Sequence, residues 1–256
     1  MGVVSIHNYP LPEGKTGQQT SEGICKIIEA LGGIRAGNFS VDCESFHSTP
    51  SVVGLGHSKT INVFHDSEHP ASAFALIDSG QCLVAENSLD NLMNNISTFY
   101  QAKKSSKMDC KGPKYTMGDF TVKVGSVSMG SSFRGILIEV EYEPCVVPSQ
   151  CWDLMKEFMG GFMKAPRDPH PFLQSRMNDL FSPVDTIQQY NDHFNSFRKQ
   201  TGLSSANTSL NSSLLNTSLS HANSPMIKTE RWLRCWGHFK NLTLFTTDLR
   251  QHFLCN

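Results

Sequence analysis

Apolar residues recur along this chain with two different periods. VVSIHNY, from Val3 to Tyr9, reads as a short strand that ends before Pro10 and Pro12. Ile24, Ile27, Ile28 and Leu31 keep the spacing of a helix face, with Gly32-Gly33 as its stop. GNFSVDCESF, KTINVFHD, ASAFALIDSG and QCLVAE then follow as strand-like runs separated by glycine, proline and polar turns, the pattern of an antiparallel meander. Residues 88–101 return to a helical period, with Leu89, Leu92, Met93, Ile96, Phe99 and Tyr100 on one stripe.

The clearest local pattern is a hairpin from Asp119 to Tyr142. Phe120, Val122 and Val124 share one face, and Val127 and Met129 continue it after a change of parity that predicts a β-bulge at Gly125-Ser126. MGSS supplies the turn, and Ile136, Ile138, Val140 and Tyr142 return along the apolar side. In that register Lys123 lies opposite Glu139.

Two helices are predicted beyond the hairpin. Residues 149–163 carry Trp152, Met155, Phe158, Met159 and Phe162. Residues 182–199 open on SPVD, with Ser182 as N-cap, Pro183 in the first turn and Asp185 reaching back. Val184, Ile187, Tyr190, Phe194 and Phe197 form the apolar stripe of this second helix.

From Gln200 to Ile227 the chain has no Lys, Arg, Asp or Glu, so its Ser/Asn/Thr text reads as a disordered linker. The expected organisation is a domain over 1–200, a linker over 201–227 and an unassigned extension over 228–256.

Charge narrows the function. A formal net charge of −1 on 256 residues offers no basic sleeve for nucleic acid and no cationic membrane face. The opening MGVVSIHNYP has no basic region, and no apolar run reaches the roughly 18 residues of a membrane span. An intracellular setting is therefore expected, with the eight cysteines as free thiols.

Three stretches suggest chemistry. EGKT (residues 13–16) lacks the preceding glycine of a phosphate loop, and HDSEH (residues 65–69) falls at a turn where polar residues are expected in any case. Glu139, Glu141 and Glu143 alternate on one strand face. Such a row can chelate a divalent ion in triphosphate-hydrolase tunnels, which makes a metal-dependent phosphohydrolase the alternative function. A tunnel of that kind also needs many inward cations, and the strand-like segments supply only Lys59, Lys114, Lys123 and Arg134. The glutamates are therefore expected to face water, with no catalytic residue, metal or cofactor.

DFTVKVGSVSMGSSFRGILIEVEYEPCVVPSQCWDLMKEF resembles the Mediator complex subunit 20 (TRF-proximal protein) family. PEGKTGQQT, GNFSVDCESFH, HDSEHPASAFAL, CLVAE and PVDTIQQYNDHFNSFRKQ match in family order over roughly residues 1–200. The resemblance implies an α+β fold, an antiparallel β-barrel of about eight strands with flanking helices. It also implies a nuclear, non-enzymatic subunit of the Mediator head module in RNA polymerase II transcription. Mediator subunit 18 and the C-terminal helix of Mediator subunit 8 are its implied partners. The aromatic faces bearing Trp152, Phe158, Phe162, Tyr190 and Phe194 are the expected docking surface, with some of these rings exposed in the isolated chain.

Overall fold

A computed structural model describes residues 2–49, 59–163 and 168–204. Strand β1 (Val3–Tyr9) is followed by helix α1 (Gly17–Ala30), and then by β2 (Ile34–Ser48), β3 (Thr60–Asp66), β4 (Ser72–Ile77) and β5 (Cys82–Glu86). Helix α2 (Leu89–Asn95) and β6 (Tyr100–Ala102) lead into β7 (Met108–Met117), β8 (Phe120–Met129) and β9 (Ser132–Tyr142). Helices α3 (Pro148–Met159), α4 (Pro171–Gln174) and α5 (Pro183–Ser204) complete the described chain. The linker and extension expected beyond this point lie outside the described residues, except that Thr201–Ser204 continue α5 as helix.

The nine strands form one antiparallel sheet in the order β1-β9-β8-β7-β2-β3-β4-β5, with β6 beside β2. The α+β class expected from the sequence holds, but the sheet is open, where closure into a barrel of about eight strands was expected. The outer edge of β1 is satisfied by a helix instead. The Ile6 N–H donates to Gln189 Oε1 at 3.0 Å, and Gln189 Nε2 donates to the Val4 carbonyl at 3.1 Å. A side-chain amide has the same donor and acceptor as a peptide group, so α5 does here what a closing strand would do.

Both faces of the sheet are covered around the β8–β9 hairpin. Phe120, Val122, Val124, Ile136, Ile138 and Val140 pack with Ile24 and Ile28 of α1 and Trp152, Met155 and Met159 of α3. On the other face Val4, Ile6, Phe39, Val41, Val127 and Leu137 meet Ile187, Tyr190, Phe194 and Phe197 of α5. This explains the parity change in β8. No bulge occurs at Gly125-Ser126: Val127 simply points to the second apolar face. The register shift sits between Val127 and Ser128, where β9 carries the extra residue Arg134.

Local signals explain the helix ends. Thr16 and Gln19 make a reciprocal capping box, so EGKT begins α1 and is no phosphate loop. Gly33 and Gly32 donate their N–H groups back to the Ile28 and Glu29 carbonyls, and Gly32 takes the positive φ of 92° that this stop requires. Helix α2 is shorter than the expected 88–101 and gives way to β6. β7 reaches β2 only as far as Cys43, and β6 pairs along Phe46–Ser48, where that edge is open.

Candidate functional site

The period of β9 places Glu139 and Glu141 on the face crossed by α5, and Glu143 follows in the turn just beyond the strand. Glu139 is 3% exposed, a correction to the expectation that the row faces water. A strand with one free face would have put it in solvent, but here α5 covers that face. Lys123 Nζ, on the paired residue of β8, donates to Glu139 Oε1 at 2.7 Å. The Tyr190 hydroxyl of α5 donates to Oε2 at 2.6 Å. Burial alone would push the Lys123 ammonium down, yet the charge and hydrogen bond of Glu139 hold it well above its ordinary value. Burial, followed by the Glu139 charge, raises the Tyr190 phenol, which keeps it a donor.

The other two glutamates are engaged separately. Glu141 Oε1 accepts the Gly2 N–H at 2.8 Å, and Glu143 Oε1 accepts from the Thr121 hydroxyl at 3.0 Å. Both oxygens of Glu139 are occupied by protein donors, so the row does not converge on a common point. Among the described residues no group of three or more His, Cys, Asp or Glu side chains is arranged to hold a metal. The chemistry of this cluster is structural: a buried carboxylate ties the hairpin to α5.

HDSEH is likewise spent on ion pairs. Glu68 receives Lys114 Nζ at 2.7 Å, and Asp66 lies 3.2 Å from His69 Nδ1. His65 Nδ1 lies 3.8 Å from Asp42, which Lys107 also approaches, and its Nε2 lies 3.3 Å from Asp90 Oδ2 without an aligned hydrogen bond. These contacts join β2, β3 and α2.

The aromatic faces expected to receive partners are used within the chain. Tyr190 and Phe194 are fully buried, and Trp152 and Phe162 are buried as well. Phe64 stacks on Phe194 with ring centres 5.9 Å apart. Phe158 alone of the five keeps part of its surface, and it stacks on Phe120 at 3.8 Å and 3°. The stripes belong to α3 and α5, and these helices fold back onto the two sheet faces. The large apolar side chains left outside include Leu83 and Val84 of β5 and Leu92 and Phe99 around α2, all more than half exposed. Sequence reasoning placed Leu92 and Phe99 on a buried stripe. Leu83 and Val84 carried a usable signal, because adjacent apolar residues on the last strand of a meander point to opposite faces.

The model of a known family, TATA-binding related factor (TRF) of subunit 20 of Mediator complex, matches residues 1–195. The chain belongs to the Mediator subunit 20 family. Mediator of RNA polymerase II transcription subunit 20 from Aedes aegypti is 43% identical over 215 residues, covering 78% of this chain and 96% of that protein. The proteins of the same name from Mus musculus, at 45% over 204 residues, and Homo sapiens, at 43% over 203, have the same coverage. Among solved structures the PH1012 protein from Pyrococcus horikoshii is similar at a TM-score of 0.38 and 11% identity, covering 63% of this chain and 90% of that one. A likeness that loose carries no argument. As a Mediator subunit 20 family member the chain is a Mediator subunit of RNA polymerase II transcription, not an enzyme.

Proposed function

We propose that this Mediator subunit is a nuclear, structural component of the head module, linking regulators to transcription initiation through protein–protein contacts. Residues 1–200 are its interaction domain. Mediator subunit 18 is its pairing partner, and the C-terminal helix of Mediator subunit 8 its tether. Family membership over residues 1–195 is the observation that carries this reading. The Lys123–Glu139–Tyr190 cluster supports it, since the most enzyme-like carboxylate of the chain is committed to holding the fold.

The contact surface for subunit 18 is proposed at β5. This strand pairs with β4 along one edge only among the described residues, and Leu83 and Val84 project from its two faces. A free strand edge flanked by exposed apolar side chains offers backbone hydrogen bonds and apolar burial together. Phe158 remains the member of the aromatic set with surface to offer. The reading is tested by immunopurifying the tagged full chain from nuclear extract and identifying the co-purified proteins. Stoichiometric recovery of head-module subunits is expected, and their absence would refute the proposal.

A further inference from the structure

The face of β2 and β3 beneath α5 changes character along its length. Cys43, Phe64 and Phe194 pack together at one end. Two residues further along each strand, the same face presents Ser45 with Asn62, and then His47 with Thr60. Ser45 Oγ donates to Asn62 Oδ1 at 2.7 Å, and Asn62 Nδ2 donates to Asn191 Oδ1 of α5 at 2.9 Å. The apolar core therefore opens into a polar cavity of about 520 Å³, lined in addition by Lys103, Ser105 and Arg198.

The charges in this cavity are unbalanced. The Arg198 guanidinium donates only to neutral acceptors among the described residues: the Ser106 carbonyl at 3.3 Å, Asn195 Oδ1 at 2.9 Å and Cys43 Sγ at 3.2 Å. Neither Arg198 nor Lys103 forms an ion pair among the described residues, whereas the buried Lys123 and the half-buried Lys114 each meet a glutamate. Asp78 is the carboxylate on the rim, and it already accepts the Thr60 N–H at 2.6 Å. Asp42 and Glu44 belong to the opposite face of β2.

We propose that this cavity is a phosphate-binding site. It offers an unpaired guanidinium, an ammonium and an imidazole beside hydroxyl donors, the set that recognises a multiply charged oxyanion better than a single carboxylate. The ligand is a phosphate group, either carried on a phosphorylated peptide side chain or free as a polyphosphate. The reading does not depend on the assembly proposed above.

His47 reports occupancy. Burial lowers its pKa first, and Lys103 and Arg198 lower it further, while Asp78 acts in the opposite sense. A bound anion opposes the two cations, so it raises the His47 pKa. The experiment titrates the full chain with inorganic phosphate, tripolyphosphate and a phosphoserine pentapeptide, following the His47 ring protons by NMR. The expected result is saturable binding, an upward shift of the His47 pKa, and affinity lowered about tenfold or more in Lys103→Gln and in Arg198→Lys. Lys103 is exposed, so its variant retains the fold if Arg198→Lys does not. A preference for the phosphopeptide assigns a protein-borne phosphate, and a preference for tripolyphosphate assigns a free one. No His47 response to any probe at millimolar concentration, or unchanged affinity in Lys103→Gln, would overturn the site.

Discussion

The Tyr190 hydroxyl donates to Glu139 Oε2 at 2.6 Å, across the boundary between α5 and the β8–β9 hairpin. Tyr190 is fully buried and Glu139 nearly so. With Lys123 on the other carboxylate oxygen, this bond turns the residue that most resembled a metal ligand into the anchor of a helix. Removing one partner of a buried pair costs more than the pair contributes, because the remaining charge is left without compensation.

Glu139→Gln is therefore expected to destabilise the chain by about 3–5 kcal/mol, measured by equilibrium denaturation. Replacing Lys123 and Glu139 together by Met is expected to recover most of that loss, since neither charge then remains buried. A Glu139→Gln cost near zero would mean that α5 does not cover this face.

Gln189 is the second anchor, bonded to both Ile6 and Val4 on the edge of β1. Gln189→Leu leaves a buried N–H and a buried carbonyl unsatisfied, for an expected loss of about 1–3 kcal/mol each at most. Hydrogen exchange gives a local readout: the Ile6 amide should lose protection selectively. Equal protection in the variant would contradict the role of α5 as the edge cover.

Gly125 lies where β8 meets Phe39 and Cys110. An added Cβ would sit 2.8 Å from the Phe39 ring and closer still to Cys110 Sγ. Gly125→Ala is expected to cost about 1–3 kcal/mol through overpacking, seen as a lowered denaturation midpoint. A neutral result would place this face at the surface, as a one-sided strand requires.

His65 and Asp42 give the chain a pH dependence. The Asp42 carboxylate, 3.8 Å away, raises the His65 pKa above its ordinary 6.5, outweighing burial, and Asp90 adds to it. The stability this provides is fully present below 6.5 and is lost as pH rises through the higher folded value. For Asp42, burial alone would raise the pKa, but the neighbouring His65 imidazole and the charge of Lys107 bring it below 3.8. Its contribution is present above 3.8 and is lost as pH falls through the folded value. His65→Asn is expected to flatten the fall in stability between about pH 6 and pH 8, measured by denaturation across that range. An unchanged slope would assign the dependence to other groups.

Much of the fold is legible in the residues. The span of β1, the glycine stop of α1, the N-terminal cap of α5 and the pairing of Lys123 with Glu139 all follow from short-range rules of spacing and turn chemistry. β7 is poorly legible in the sequence because Gly112-Pro113 interrupts it. Pro113 has no N–H to give, and a Cβ at position 112 would collide with the Val124 carbonyl, yet the strand continues because β2 and β8 hold both ends. The destination of α5 was not legible at all. Its stripe showed that it would bury a face, but not that this face would be the one bearing Glu139. The bulge expected in β8 and the water-facing glutamates both followed from treating the hairpin as covered on one side only.

The role proposed for the chain is that of a structural partner in the Mediator head. Its most direct test is co-expression of the full chain with Mediator subunit 18 and the C-terminal segment of Mediator subunit 8, followed by gel filtration with mass determination. The predicted result is one stable, stoichiometric complex containing all three chains. A monomer that elutes alone and ignores both partners would contradict it.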